Sequence, residues 1–310
     1  MNDIQFGTGI RSLTNIAASA RRIEELGFDV LSAGEHVSFH GPIGNTYITL
    51  SVAAGATTHI KLMSAIVLLP LYPAALAAKL GAALDNASGG RYQFGIGVGG
   101  ENPKEFEACG IPLNERGARA TEALEVIRKL WTEDSVTFSG KFNTLDGVGL
   151  NPRPLQKPMP PIWVAGRKKA AMRRAALYGD GWLPYMYTPE MLRESLDTIR
   201  SFRSEAGLGM DKYHKGIFIF TCVHPDRNKA REMAAVQLGK TYAQDFDNLV
   251  DKYTLVGTPE DCQRRIQQYI DAGSRLFMLT SACPESYMDE NIRMIAKEVM
   301  PAFRSELPRI

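Results

Sequence analysis

Eight short apolar runs separated by amphipathic helical stretches predict an α/β fold, a (β/α)8 TIM barrel. Two further observations agree. The third run, 62–69, is almost wholly apolar, as a strand buried on both faces of a parallel sheet must be. The chain has 310 residues, about the length of one such barrel. One segment, 134–160, breaks the alternation. The prediction is therefore a single barrel domain over residues 1–310, with one insertion between the fourth strand–helix unit and the fifth strand. A doubly wound sheet is the competing arrangement.

The elements follow in order. Residues 4–10 alternate like a first strand, and 13–26 have helical spacing that stops at Gly27, a suitable C-cap. A second strand is predicted at 28–33 and a helix at 52–58. After the apolar strand 62–69, a helix over 73–88 ends at Gly89-Gly90, a strand covers 92–98, and a strong helix covers 115–131. The insertion is rich in proline and glycine and contains a hairpin-like stretch, VTFSGKFNTL. Alternation resumes with strands at 162–165, 181–184, 216–223 and 275–279, and helices at 168–178, 189–206, 227–238, 259–272 and 288–303.

Composition narrows the class. The chain is 45% apolar and 23% charged, and its net charge is +2, which gives no reason to expect nucleic acid or a membrane surface as partner. Cys109, Cys222, Cys262 and Cys283 are far apart in sequence and suggest neither a disulfide framework nor a metal site. No signal-peptide pattern opens the sequence, and prolines 70 and 73 interrupt its longest apolar stretch. A cytoplasmic enzyme acting on a small molecule is the expectation.

The stretch GGRYQFGIGVGG at 89–100 contains G-x-G-x-x-G, the pattern of a dinucleotide-binding turn. That reading needs a helix opening at the third glycine and an acidic residue ending the next strand. Here ENPKEFEACGIP follows, and the helix is expected only near 115. In a barrel, Gly97, Gly99 and Gly100 fall at the C-terminal end of the fourth strand, where active sites lie. A flat ring lying on bare backbone would account for them. On this view valine at Gly99 blocks the ring while the protein still folds, and Gly95, facing a helix, accepts alanine.

GGRYQFGIGVGG, ENPKEFEACGIPLNERG and ALEVIRKLW together resemble the bacterial luciferase-like superfamily, closest to its branch dependent on coenzyme F420. AGEH at 33–36, SAIVLLPLYPAALA at 64–77, PIWVAG at 161–166, GDGWLP at 179–184 and GTPED at 257–261 extend the resemblance over nearly the whole chain. It implies a barrel that binds F420 or reduced FMN and is often a homodimer. The loop after the glycines is shorter here than in many members.

The resemblance assigns roles residue by residue. Glu35-His36 matches the family's acidic residue–His pair beside the ring, so His36 is a catalytic candidate and Glu35 a coenzyme contact. A histidine's charge changes near neutral pH, which suits orientation or proton transfer. Glu101 is a candidate proton donor or acceptor, with Asn102 beside it. Ile66-Val67 aligns with a non-prolyl cis peptide whose bulge backs the ring. Ala165-Gly166-Arg167, with Lys168, forms a candidate phosphate loop at a helix start. The run RKKAAMRR, 167–174, is expected to form a basic patch for the deazaflavin's phosphodiester and oligoglutamate tail. Segment 134–160 and loop 37–47 are expected to close the site. The implied activity is hydride transfer between F420 and a small organic substrate. The alternatives are an FMNH2-dependent monooxygenase of the same fold, and a barrel that only binds a flavin or another ligand.

Overall fold

The computed structural model describes residues 4–10, 13–242 and 245–304. The expected alternation is present. In chain order the elements of the first half are β1 (Gln5–Gly9), α1 (Ile16–Glu25), β2 (Val30–Ala33), α2 (Thr46–Ala56), β3 (Lys61–Ser64), β4 (Val67–Leu68), α3 (Ala74–Ala87), β5 (Tyr92–Gly97), α4 (Pro103–Ala108) and α5 (Arg116–Thr132). A hairpin, β6 (Val136–Ser139) and β7 (Thr144–Val148), precedes the second half. That half runs β8 (Ile162–Ala165), α6 (Lys169–Tyr178), β9 (Gly181–Leu183), α7 (Pro189–Glu205), β10 (His214–Val223), α8 (Arg227–Tyr242), α9 (Val250–Tyr253), β11 (Thr254–Gly257), α10 (Pro259–Asp271), β12 (Leu276–Ser281) and α11 (Met288–Met294).

Eight parallel strands close the barrel in the order β1, β2, β3, β5, β8, β9, β10, β12, with β12 pairing back to β1. Its lumen is filled by Val30, Met63, Trp163, Leu183, Leu276 and Met278. The larger core lies between barrel and helices, where Trp131, Tyr92, Phe94 and Trp182 are fully buried.

Four expectations need correction. First, α2 starts at Thr46, not near 52, because Asn45 caps it by accepting the N–H groups of Tyr47 (3.0 Å) and Ile48 (3.2 Å). Second, β11 was not expected. It lies beside the outer half of β10, on the flank opposite β12, since Phe220 registers with both Thr254 and Thr280. Third, a short helix, α4, follows the glycines. Proline at 103 is compatible with its first turn, where no N–H is needed, and Asn102 caps it. Fourth, the last helix, 288–303, passes through a π-turn at Ile295–Val299 and a 3-10 turn at Met300–Phe303, where Pro301 cannot continue an α-helix.

No residue of the insertion lines the cavity at the C-terminal mouth of the barrel. Glu122 of α5 accepts the N–H groups of Lys141, Phe142 and Asn143 at 2.7–2.8 Å, which fixes the hairpin turn to the outside of that helix. Downstream, Gln156 donates its side-chain amide to Asp85 and to the carbonyl of Tyr92, at the opposite end of the barrel.

Candidate active site

The site begins where β3 stops. Met63 registers with Gln93, and Val67 with Ile96, so four steps along one strand face three along the other. The extra backbone, Ala65-Ile66, bulges into the mouth. The cis peptide lies between Ala65 and Ile66, one residue before the expected position. Three glycines make room for this bulge. A Cβ at Gly34 would sit 2.7 Å from the Ala65 carbonyl oxygen, one at Gly97 2.1 Å from Ile66 Cδ1, and one at Gly95 1.9 Å from the Ser64 carbonyl oxygen. The Ser64 hydroxyl takes over the ladder at this point: it accepts the Gly95 N–H (2.8 Å) and donates to the Gly95 carbonyl (2.9 Å).

The expectations for Gly95 and Gly99 are thereby overturned. Gly95 has no space for alanine. Gly99 has φ +59°, and its Cβ would meet Leu68 Cδ2 at 2.9 Å and the Phe106 ring at 3.2 Å, all atoms of the protein itself. A β-branched residue there is strained as well as crowded. The glycines accommodate the bulge and the turn into α4. They shape the mouth from behind.

Around the bulge is a cavity of about 550 Å³, bounded by residues at the C-terminal ends of the strands. Its apolar surface comes from Ala65, Ile66, Leu68, Leu183, Phe218 and Phe220. Of the residues predicted from sequence, it brings together Glu35, His36, Ile66, Gly97, Gly99, Gly100, Glu101, Ala165, Gly166, Arg167 and Lys168. Two lie outside it. Val67 is buried in the strand pair with Ile96. Asn102 caps α4 and donates to the Ser38 carbonyl (2.8 Å).

The two buried carboxylates near His36 have different tasks. Glu35 accepts the Leu68 N–H (2.9 Å), the Tyr72 hydroxyl (3.0 Å), the Thr46 N–H (3.3 Å) and the Asn45 amide (3.0 Å). Its oxygens thus tie β2 to β4 and α2. Burial raises its pKa above the usual 4.5, against the lowering effect of those bonds. Glu105, fully buried on α4, is a residue of the candidate site that the sequence reading missed. It receives His36 Nδ1 at 3.1 Å and the Val37 N–H at 3.2 Å. A carboxylate at Nδ1 favours a proton on that nitrogen and leaves Nε2 to face outward as an acceptor. The His36 ring is also stacked on Phe39, with centroids 4.2 Å apart. The missed signal was Asn102-Pro103-Lys104-Glu105, the pattern of a helix start with an acidic third residue.

On the other side, Tyr185 donates a short hydrogen bond to Glu101, and the Arg167 guanidinium lies 4.8 Å from the centre of the Tyr185 ring. Burial, with the neighbouring carboxylate, raises the Tyr185 pKa, so its hydroxyl stays a proton donor. Arg167 and Lys168 stand at the start of α6, whose first turn has no side-chain cap, leaving N–H groups for an anion. The rest of the expected basic patch is dispersed. Lys169 and Arg173 lie over Phe202, while buried Arg174 donates to the Gly117 carbonyl and to Thr121. Arg116, unpredicted, reaches the cavity beside Gly100.

Residues 2–276 match the family model described as luciferase-like monooxygenase. The chain belongs to that family. It is 31% identical over 197 residues to an FMNH2-dependent dimethylsulfone monooxygenase of Pseudomonas putida, a match covering 62% of this chain and 53% of that protein. It is 25% identical over 321 residues to the 5,10-methylenetetrahydromethanopterin reductase of Archaeoglobus fulgidus, covering 91% and 93%. The matches span about half the length of the first curated relatives. Among solved structures, the monooxygenase RslO1 from Streptomyces bottropensis superposes with a TM-score of 0.86 at 26% identity, covering 97% of this chain and all of that one. Among the described residues, no helix is long and apolar enough to cross a membrane.

Proposed function

We propose that the protein is an oxidoreductase whose coenzyme is the deazaflavin F420, with hydride passing between it and a small organic substrate. The observation that carries this reading is the pair of hydrogen-bonded acid–base couples, His36–Glu105 and Glu101–Tyr185, facing one apolar cavity. Reduction or oxidation of a carbonyl-type group moves a proton as well as a hydride, and the protein has to handle the proton.

The residues present fit a flat tricyclic coenzyme. Ala65, Ile66 and Leu68 offer one apolar wall, and Phe218 and Phe220 add apolar surface from β10. Arg167, Lys168 and the start of α6 are placed for its phosphate. When bound, the coenzyme supplies the hydride. His36 Nε2, with Nδ1 held by Glu105, accepts or returns a proton at the substrate. The Glu101–Tyr185 pair supplies a second donor and narrows the opening to water. The resemblance to the F420-dependent branch and the reductase relative support this choice.

One observation favours a second reading. Of the cations in 167–174, only Arg167 and Lys168 line the cavity, enough for a single phosphate. An FMNH2-dependent monooxygenase, the activity named for the Pseudomonas relative, needs no more than that. A fluorescence titration separates the readings. F420 is expected to bind at least about tenfold more tightly than FMN, near 1.4 kcal/mol. Equal affinities, or tighter FMN, select the monooxygenase. No binding of either excludes both.

A further inference from the structure

We propose that the opposite, N-terminal mouth of the barrel is a second binding site, for a small multiply charged oxyanion such as a diphosphate or a polycarboxylate. This cavity, about 660 Å³, lies beneath the start of the strands. That is within the usual size of small-molecule sites, roughly 300–1,000 Å³. The apolar layer that fills the lumen separates it from the coenzyme cavity.

Its charge is one-sided. Lys61, Arg91, Lys212, Lys215 and Arg275 line it, against one acid, Asp211. Among the described residues none of these five cations has a carboxylate within ion-pair distance. Arg91 spends all five N–H donors on neutral oxygens: the carbonyls of Ser88, Ile60, Ala54 and Thr57, and the Thr57 hydroxyl. Its guanidinium is therefore fixed in place; burial lowers its pKa, and Glu24 opposes this from beyond ion-pair distance. Lys215 is held below the usual lysine range by burial and by the neighbouring Arg275 and Arg200. Burial likewise lowers His214; the nearby Asp180 carboxylate works against this, and Lys61 adds a smaller lowering effect. Cations crowded in this way destabilise one another until an anion enters.

The second observation is a buried neutral donor. Gln93 is 8% exposed, and its Oε1 accepts the Trp163 indole N–H at 2.8 Å. That bond fixes the amide so that Nε2 is the end left over, and among the described residues it has no partner. Gln93 lines the cavity, so this amide is a donor open to it, fixed in orientation by the Trp163 bond, and an oxyanion at this position would accept from it. Trp163 and His214, stacked with centroids 5.3 Å apart, wall the same cavity.

The test is isothermal calorimetry on the full-length protein with sodium pyrophosphate and, separately, citrate, against sodium chloride of matched ionic strength. Saturable 1:1 binding of either anion is expected. It should persist in Arg116→Gln/Arg167→Gln/Lys168→Gln and in Arg167→Gln/Lys168→Gln, which remove all three or two of the coenzyme-cavity cations, and weaken by at least about tenfold in Lys61→Gln/Lys215→Gln. Gln93→Glu is the second variant, because it keeps the acceptor for Trp163 but replaces the amide donors with a charge that repels an anion. It too should lose at least about tenfold. Heat no different from the salt control overturns the proposal. So does binding that is lost in either coenzyme-cavity variant but retained in Lys61→Gln/Lys215→Gln and in Gln93→Glu. The result does not depend on which coenzyme the other mouth takes.

Discussion

The two walls of the coenzyme cavity are built by different means. The β2–β5 side is shaped by backbone: a bulge at Ala65-Ile66, carrying the Ile66 side chain into the cavity, is wedged against Gly34 and Gly95, where a Cβ would meet carbonyl oxygens, and Gly97, where it would meet the Ile66 side chain. The β8–β10 side is shaped by side chains, Arg167, Lys168, Leu183, Tyr185, Phe218 and Phe220. The first wall can hardly change without losing the fold, because its backbone is packed against the neighbouring strands at Gly34 and Gly95. The second can exchange residues at little cost to stability. Under the proposed function, placement of the ring belongs to the fold, while choice of coenzyme and substrate belongs to the side-chain wall.

The largest expected effect breaks the backbone wall. Gly95→Ala puts a carbon where the Ser64 carbonyl oxygen already is, and the carbonyl cannot move without breaking the Ser64–Gly95 bonds. Overpacking of this kind should cost more than about 3 kcal/mol. Thermal denaturation should show a collapse in Tm or no folded protein. A variant that folds normally removes the distinction between the walls.

Next is the His36–Glu105 couple, which reaches the cavity from the backbone wall. His36→Ala should leave Tm near wild type and lower turnover or coenzyme affinity at least about tenfold, 1.4 kcal/mol or more. Glu105→Gln should lower turnover in the same direction. If the carboxylate acts through the ring, the double variant should be no worse than His36→Ala alone. Additive losses would show that Glu105 serves only to hold the Val37 loop.

These residues also show what could be read from sequence. The strands and most helices were legible because a barrel strand is a short apolar run and its helix an amphipathic one, and both periods survive in a single chain. β11 escaped because TLVG is only four residues long and follows a charged, irregular stretch. α4 escaped because ENPKEFEACGIP, with its two prolines, was passed over in favour of a helix near 115, whereas Pro103 is a first-turn residue, and Glu105 was lost with it. His36, Glu101, Arg167 and Lys168 were legible as positions at strand ends. What the glycines face was not, because the facing rule assumes an unbroken strand pair, and the Ala65-Ile66 bulge breaks it. The basic run 167–174 was visible as charge, but a helix sends its cations to different sides, and three of the five turn away.

On the side-chain wall, Arg167→Gln should weaken a phosphate-bearing coenzyme by about fivefold, near 1 kcal/mol, with the fold intact. Comparing FMN with riboflavin sharpens this. The loss should appear for FMN and be absent for riboflavin, which has no phosphate. Equal losses for both would mean that Arg167 acts through the Tyr185 ring beneath it.

The smallest effect concerns Glu35, which fastens the backbone wall from behind. Its carboxyl is buried, and burial raises its pKa above 4.5 despite the donors around it. Because the folded state then holds this proton more tightly than the unfolded chain, the folded state carries more protons between pH 4.5 and the raised value. Stability must fall as pH rises through that window and become flat above it. Glu24 and Glu122 run the other way. Although burial alone would raise them, backbone and side-chain donors hold both below 4.5, so their contribution is lost as pH falls. A simple acid titration of stability therefore mixes opposite slopes, and only a difference isolates Glu35. Glu35→Gln cannot titrate, and its Nε2 replaces an acceptor oxygen with a donor facing other donors, so it should be less stable at every pH. Urea unfolding of both proteins from pH 4.5 to neutrality should show the wild-type advantage shrinking as pH rises, then levelling off. An advantage that grows with pH would mean that the bonds from Leu68, Tyr72, Thr46 and Asn45 outweigh burial, and that Glu35 is ionised throughout as a fixed anion behind the bulge.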